Sequence, residues 1–262
     1  MLQITDLTYR IAGKLLLEKA SVTVPAGHKI GIVGKNGAGK TTLYKLILGE
    51  LESDDGKIRI RKAAKVGQVA QEAPGGPETL LETVLASHAE LVALHQEAET
   101  STDPDRIAEI HERLQDIGAY EAEARAASIL SGLGFDDTAQ RRACSEFSGG
   151  WRMRVALACT LFTQPDLLLL DEPTNYLDLE GVLWLENFIK NYPYTILIIS
   201  HDRDLLNSST SAIVHLENRS LTFYGGNFEK FEKTYREQRE LQRAAVKKQA
   251  LERAHIQSYV DR

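Results

Sequence analysis

Eight consecutive residues, Gly34-Lys35-Asn36-Gly37-Ala38-Gly39-Lys40-Thr41, fit the pattern G-x-x-x-x-G-K-[ST] without a mismatch. The chemistry of such a stretch is phosphate binding. Its glycines let successive backbone N–H groups curl round the β- and γ-phosphates of a nucleotide. Lys40 neutralises phosphate oxygens and the Thr41 hydroxyl is a magnesium ligand, with Thr42 next in the same cradle. A second candidate is Leu167-Leu168-Leu169-Leu170-Asp171-Glu172, four apolar residues that end in paired carboxylates. Asp171 is suited to hold the metal through water, and Glu172 to polarise an attacking water as a general base. The second motif alone reads as an acidic strand end. Together they describe one site for a nucleoside triphosphate.

Such a site needs a strand before the glycine loop, a helix after it, and a buried strand to carry the acids. The sequence predicts all three. Alternation and β-branched residues mark strands over 2–9, 20–24 and 29–33, with Pro25-Ala26-Gly27 as a turn. A helix follows from Lys40 to Leu48, stopped by Gly49. Short strands are expected at 58–60 and 65–69. Leu167 to Leu170 and Thr195 to Ser200 are continuous apolar runs of the kind buried in parallel sheets, with a helix over 179–191 between them. Residues 78–127 are rich in Ala, Leu and Glu and read as helical, broken at Ser101-Thr102-Asp103-Pro104, where Asp103 caps a helix that starts on Pro104. A further helix runs from Trp151 to Phe162. From about Asn227 the chain becomes a charged helical tail, one or two helices, whose pattern continues through Arg262 as if the sequence were cut there.

The 262 residues are 43% hydrophobic and 26% charged, ordinary globular values that exclude collagen-like, low-complexity and disordered architectures. No apolar run approaches the roughly 18 residues of a membrane-spanning helix. The N-terminus has neither the basic nor the apolar region of a secretory signal. Cys144 and Cys159 suit neither a disulfide framework nor a metal site, so a reducing cytoplasm is the expected home. The net charge of −6 is uneven: +5 over residues 1–77, −9 over 78–127, −5 over 128–228 and +3 over 229–262. Blocks of this kind usually mark solvated helix faces, with contact to a partner as the alternative.

Further motifs, in order and spacing, resemble the ATP-binding-cassette ATPases. Ser148-Gly149-Gly150-Trp151-Arg152-Met153-Arg154 is similar to the family signature. Asp171 to Asp178 is similar to its second acidic motif with the following D-loop, and Ser200-His201-Asp202 to its switch histidine. Trp151 stands where transporters usually carry Gln. With Asn175-Tyr176-Leu177-Asp178 it points to the ABC-F class of tandem-cassette proteins. Residues 147–154 and 126–135 look most similar to the YheS-like branch, and Ile256 to Arg262 resembles the linker between the two cassettes. Tyr176 departs from the usual His of the D-loop, and Phe147 from the usual Leu before the signature.

The resemblance implies an α/β fold: a P-loop NTPase cassette with a mixed β core, an N-terminal antiparallel β subdomain and an inserted α-helical subdomain at about 76–162. The cassette would span 1–228, and 229–262 would begin the charged linker. It implies ATP and Mg2+ as cofactors. It also implies an adenine-stacking role for Tyr9 and contact of Gln71 with magnesium and the attacking water, with Gln68 as the competing glutamine. His201 would contact the γ-phosphate. Ser148, Gly149 and Gly150 would act in trans, covering the γ-phosphate held by another cassette. The long interval between Gln71 and Ser148 is read as core helical subdomain, with a short arm as the alternative. The function implied is ATP hydrolysis by one half of a tandem-cassette protein acting on the ribosome in translation, with the second cassette, ribosome and tRNA as partners. The competing function is the nucleotide-binding subunit of a membrane transporter. A DNA-repair or chromosome-associated cassette is disfavoured because the long coiled-coil insertion expected there is missing.

Overall fold

Alternation of apolar and polar side chains shapes the first strand, β1 (Leu2–Ile11), which buries Leu2, Ile4 and Leu7 and turns Gln3 and Thr5 outward. The structure is a computed structural model that describes residues 1–70 and 72–260, with side chains at 1–70, 72–244 and 249. β1 is the middle strand of an antiparallel sheet, flanked by β2 (Lys14–Val24) and β4 (Asp55–Ile60). The hairpin of β1 and β2 runs further than the alternation suggests. Arg10 pairs with Leu15 and Ile11 with Lys14, carrying the ladder through polar residues to Gly13 at φ 79°.

The second sheet has six strands in the order β5-β6-β7-β3-β8-β9, where β3 is Lys29–Gly34, β5 is Val66–Gln68, β6 is Leu167–Asp171, β7 is Thr195–Ile199, β8 is Ala212–Glu217 and β9 is Ser220–Gly225. β5, β6, β7, β3 and β8 are parallel, and β9 closes the edge antiparallel to β8. The C-terminal ends of the parallel strands therefore share one edge, where open α/β sheets bind ligands.

Helix α1 (Lys40–Leu48) follows β3, bounded by left-handed glycines at Gly39 and Gly49. Between β5 and β6 lie α2 (Leu80–Ala86), α3 (Ala89–Thr100), α4 (Pro104–Asp116), α5 (Ala122–Gly132), α6 (Asp137–Gln140) and α7 (Gly149–Phe162). Thr79 and Glu82 form a capping box at the start of α2, and Asp103 accepts the Asp105 N–H ahead of α4. α8 (Leu179–Asn191), α9 (Arg203–Ser209) and α10 (Phe228–Val260) complete the chain. The charged tail is one helix of 33 residues; Asp261 and Arg262 lie outside the described residues.

The period of two in β6 divides the core. Leu168 and Leu170 pack among Val155, Ala158 and Leu161 of α7 and Leu185 of α8. Leu167 and Leu169 face the other way, in one cluster with Leu43 and Ile47 of α1 and with Leu2 and Leu17 of the antiparallel sheet. The large sheet is thus buried on both faces. A continuous apolar run rather than an alternating one is what such a strand needs.

Candidate functional site

The glycine loop turns out of β3 into α1 at Gly39, whose φ of 105° is open to glycine. A Cβ there would lie 2.7 Å from Cδ2 of Leu16, so a larger residue would also have to push the Leu16 side chain of the β1–β2 hairpin aside. Lys40 folds back across the loop. Its Nζ donates to the carbonyls of Gly34 at 3.0 Å and Lys35 at 3.4 Å. The N-terminus of α1 adds its partial positive charge at the same place.

Thr41 Oγ1 donates to Asp171 Oδ2 at 2.7 Å, joining α1 to the tip of β6 across 130 residues of sequence. Tyr44, one turn on, donates to the Leu170 carbonyl at 3.3 Å. Burial, and then the neighbouring Asp171, push its phenol well above the ordinary value. The Thr41 hydroxyl and the Asp171 carboxylate are hard oxygen donors side by side. That set fits Mg2+, which takes one or two protein oxygens and completes its shell with phosphates and water. Among the described residues no group of three or more His, Cys, Asp and Glu forms a separate metal cage.

Glu172 stands just past β6 at φ 48°, a region that side chains other than glycine, Asn and Asp seldom occupy. Its N–H donates to the Ile199 carbonyl at 2.8 Å, its Oε2 accepts the His201 N–H at 3.2 Å, and its Oε1 lies 3.4 Å from His201 Nε2. The strain, about 1–3 kcal/mol for such a residue, is held by hydrogen bonds on both sides. The result is an open cleft of about 540 Å³ whose walls include Lys40, Thr41, Asp171, Glu172 and His201. Asn36, Gly37, Gly39 and Thr42 line it too, and Gly34, Lys35 and Ala38 line the wider cleft that continues from the same loop.

Among the described residues, Tyr9 is the expected contact that is not brought to this cleft. Tyr9 packs, partly buried, against the core beneath the antiparallel sheet, and the wall is made instead by Ile11, two residues on, and Leu16. Ser148, Gly149 and Gly150 stand at the start of α7 outside the cleft lining. Ser148 is the N-cap but its hydroxyl makes no capping bond, and a Cβ at Gly149 would meet nothing within 4 Å. The signature therefore presents an uncovered helix N-terminus. Gln71 lies outside the described residues. Its competitor Gln68 ends β5 and donates from Nε2 to Glu50 at 2.9 Å.

One contributor was not expected. Arg154, 8% exposed, donates from Nε to the Tyr176 carbonyl at 2.6 Å and from Nη1 to the Leu133 carbonyl and Asp178, both at 3.0 Å. Its guanidinium also covers the Trp151 ring at 4.3 Å. Asp178 caps α8 through the Gly181 N–H, and that bond, then Arg154, holds its carboxyl below the usual range. Arg154 thus ties the signature helix to the segment after Glu172 and to the end of α5. An arginine in a basic, polar-looking stretch gives no sign in sequence that it will be buried.

A parallel sheet with a phosphate-binding loop after one strand and paired acids at the tip of another defines a P-loop nucleotide-binding protein. A family model described as ABC transporter matches residues 17–175, and a second model of that description matches 214–262. The chain belongs to the ATP-binding-cassette family and, within it, to the ABC-F subfamily. It is 42% identical to the probable ATP-binding protein YheS of Escherichia coli K12, over 100% of this chain and 42% of that protein. It is 44% identical to ABC transporter F family member 4 of Arabidopsis thaliana, over 87% of this chain and 33% of that one. With human ATP-binding cassette sub-family F member 3 it shares 41% identity, over 95% of this chain and 36% of that protein. The chain thus spans about two fifths or less of the length of these curated relatives. Among solved structures it is similar to the ATP-binding subunit of an ABC transporter, with a TM-score of 0.66 and 20% identity over 90% of this chain and 93% of that one. It is also similar to a dimeric post-hydrolysis ATP-binding cassette bound to ADP and Pi, with a TM-score of 0.60 and 19% identity over 86% and 98%. At those identities the structures establish the fold, and it is the mixed α/β cassette expected from the motifs.

Proposed function

We propose that this chain binds Mg·ATP on the loop Gly34–Thr42 and hydrolyses it at a site completed by a second cassette. The observation that carries this reading is the convergence of Lys40, the Thr41–Asp171 pair and Glu172 with His201 on one cleft. Thr41 and Asp171 would hold Mg2+, which supplies positive charge to the phosphate oxygens when bound. Glu172 would take a proton from a water aligned with the terminal phosphorus. The new oxygen–phosphorus bond forms as the anhydride bond to ADP breaks. His201 would donate to a γ-phosphate oxygen, and the held contact with Glu172 orients both side chains. Gln71 is proposed as the third polar contact to metal and water. For the base, Ile11 and Leu16 form the apolar wall, and Tyr9 contributes to their support rather than to stacking.

The need for a partner is supported by the uncovered signature helix, which offers N–H groups to a γ-phosphate bound elsewhere. One solved relative in fold is a dimer bound to ADP and Pi. The cellular role we propose is that of a cytoplasmic, ribosome-associated ABC-F ATPase contacting tRNA, with the cassette at 1–228 and a linker beginning at 229. Subfamily membership supports this over a transporter subunit, and no helix among the described residues is long and apolar enough to cross a membrane. Sedimentation of the Glu172→Gln protein with ATP should carry it with ribosomes and leave membrane vesicles bare. Partition to membranes alone would favour the transporter reading.

A further inference from the structure

The phosphate loop opens on its outer side into a cleft of about 1030 Å³ whose far wall is α10. Arg236, Arg239 and Arg243 recur at three- and four-residue spacing, which puts them on one face of that helix, and all three line the cleft opposite Lys35 and Asn36 of the loop. The chain as a whole carries −6, yet this cleft is lined by eight Lys and Arg against three Glu. Such a concentration in a concave site focuses field and attracts polyanions.

The helix is fixed there by its first turns. Phe231 and Tyr235 stack at 5.7 Å and pack against His215 of β8, at 5.2 and 4.8 Å. Tyr235 donates to Glu217 Oε1 at 2.6 Å, and Arg239 Nη1 lies 3.6 Å from the same carboxylate. Glu217 thus engages Arg239. Arg203 is engaged by Glu232 and Arg219 by Glu18. Among the described residues no ion pair is made by Arg236, Arg243, Lys14 or Lys35. With Lys40, which donates only to carbonyls, five cations from the hairpin, the loop and α10 are left to a ligand.

We propose that α10 is the outer wall of the nucleotide site, and that Arg236 and Arg243 bind the phosphates of the nucleotide seated on the loop. This rests on the reading of that loop as an ATP site. The consequence is linkage. A nucleotide that gains affinity from α10 must stabilise the docked position of α10 to the same degree, so nucleotide occupancy is transmitted into the long helix.

The test is equilibrium binding of a fluorescent ATP analogue to the whole chain. Arg236→Ala/Arg243→Ala should weaken binding about tenfold at low salt, with the deficit shrinking as added salt screens the charges. Arg236→Glu/Arg243→Glu should weaken it further, and Arg106→Ala, in the helical region remote from the cleft, should leave it at the parent value. Amide exchange over 236–243 should slow when ATP is added to the parent and change less in the double variant. Parent affinity in both double variants, with exchange in α10 indifferent to ATP, would overturn the proposal while Lys40→Ala still abolishes binding. Parent affinity for ATP with lost affinity for a single-stranded RNA probe would also overturn it, assigning the arginines to another polyanion. Unchanged binding in Lys40→Ala would instead remove the ATP site itself.

Discussion

Glu172→Gln is expected to lower ATP hydrolysis by roughly two to four orders of magnitude, the range over which a positioned general base contributes, while ATP binding persists. The substitution keeps the shape of the side chain. Its amide oxygen still accepts the His201 N–H that Oε2 accepts at 3.2 Å. What it loses is the proton acceptor. The variant should retain its fold, because the left-handed backbone at this position is held by main-chain bonds, from its N–H to the Ile199 carbonyl and from the Asn175 N–H to its own carbonyl. Steady-state phosphate release alongside nucleotide affinity separates the two effects. Normal turnover in Glu172→Gln would place the base elsewhere.

Lys40→Ala acts on the other half of the chemistry. The ammonium spans the loop between the carbonyls of Gly34 and Lys35, where phosphate oxygens would take over its donors. Charge-assisted hydrogen bonds of this type are worth about 1.5–3 kcal/mol each, so removing each one should lower affinity roughly 10- to 150-fold. The stability of the nucleotide-free protein should change little, since the lysine serves an open cleft rather than the core. Isothermal titration with Mg·ATP reads the first effect and a thermal melt the second. Parent affinity in Lys40→Ala would sink the assignment of the loop.

What the sequence made legible was whatever lay in contiguous residues. The phosphate loop is eight residues with a strand on one side and a helix on the other. The bounds of α1 and α8 match expectation because Gly49 ends the first and Asp178 caps the second. The pairing of Thr41 with Asp171 was implied by two motifs that parallel strands deliver to one edge. What stayed hidden depends on geometry between distant segments. Tyr9 and Ile11 lie two apart and so share a strand face. Tyr9 packs against the core and Ile11 lines the cleft, in a stretch where the β1–β2 register shifts on both sides of Tyr9. The stretch from Arg203 to Gly225 folds as α9, β8 and β9 without a motif to announce it. Arg154 reads as a surface charge until Leu133, Tyr176 and Asp178 are brought round it. The same holds for the arginines of α10, which interleave with Glu237 and Glu240 in sequence and reach the cleft only through the docking of Phe231 and Tyr235.

The central claim is that ATP held by Lys40, Thr41, Asp171 and Glu172 is hydrolysed against the Ser148–Gly150 face of another cassette. It is tested most directly by specific ATPase activity as a function of protein concentration, for the parent and for Ser148→Arg. The account predicts weak activity that rises with concentration, a further rise per site when a second cassette is supplied, and strong suppression by an arginine that blocks the uncovered helix start. Full turnover by a proven monomer, independent of concentration and untouched by Ser148→Arg, would contradict it.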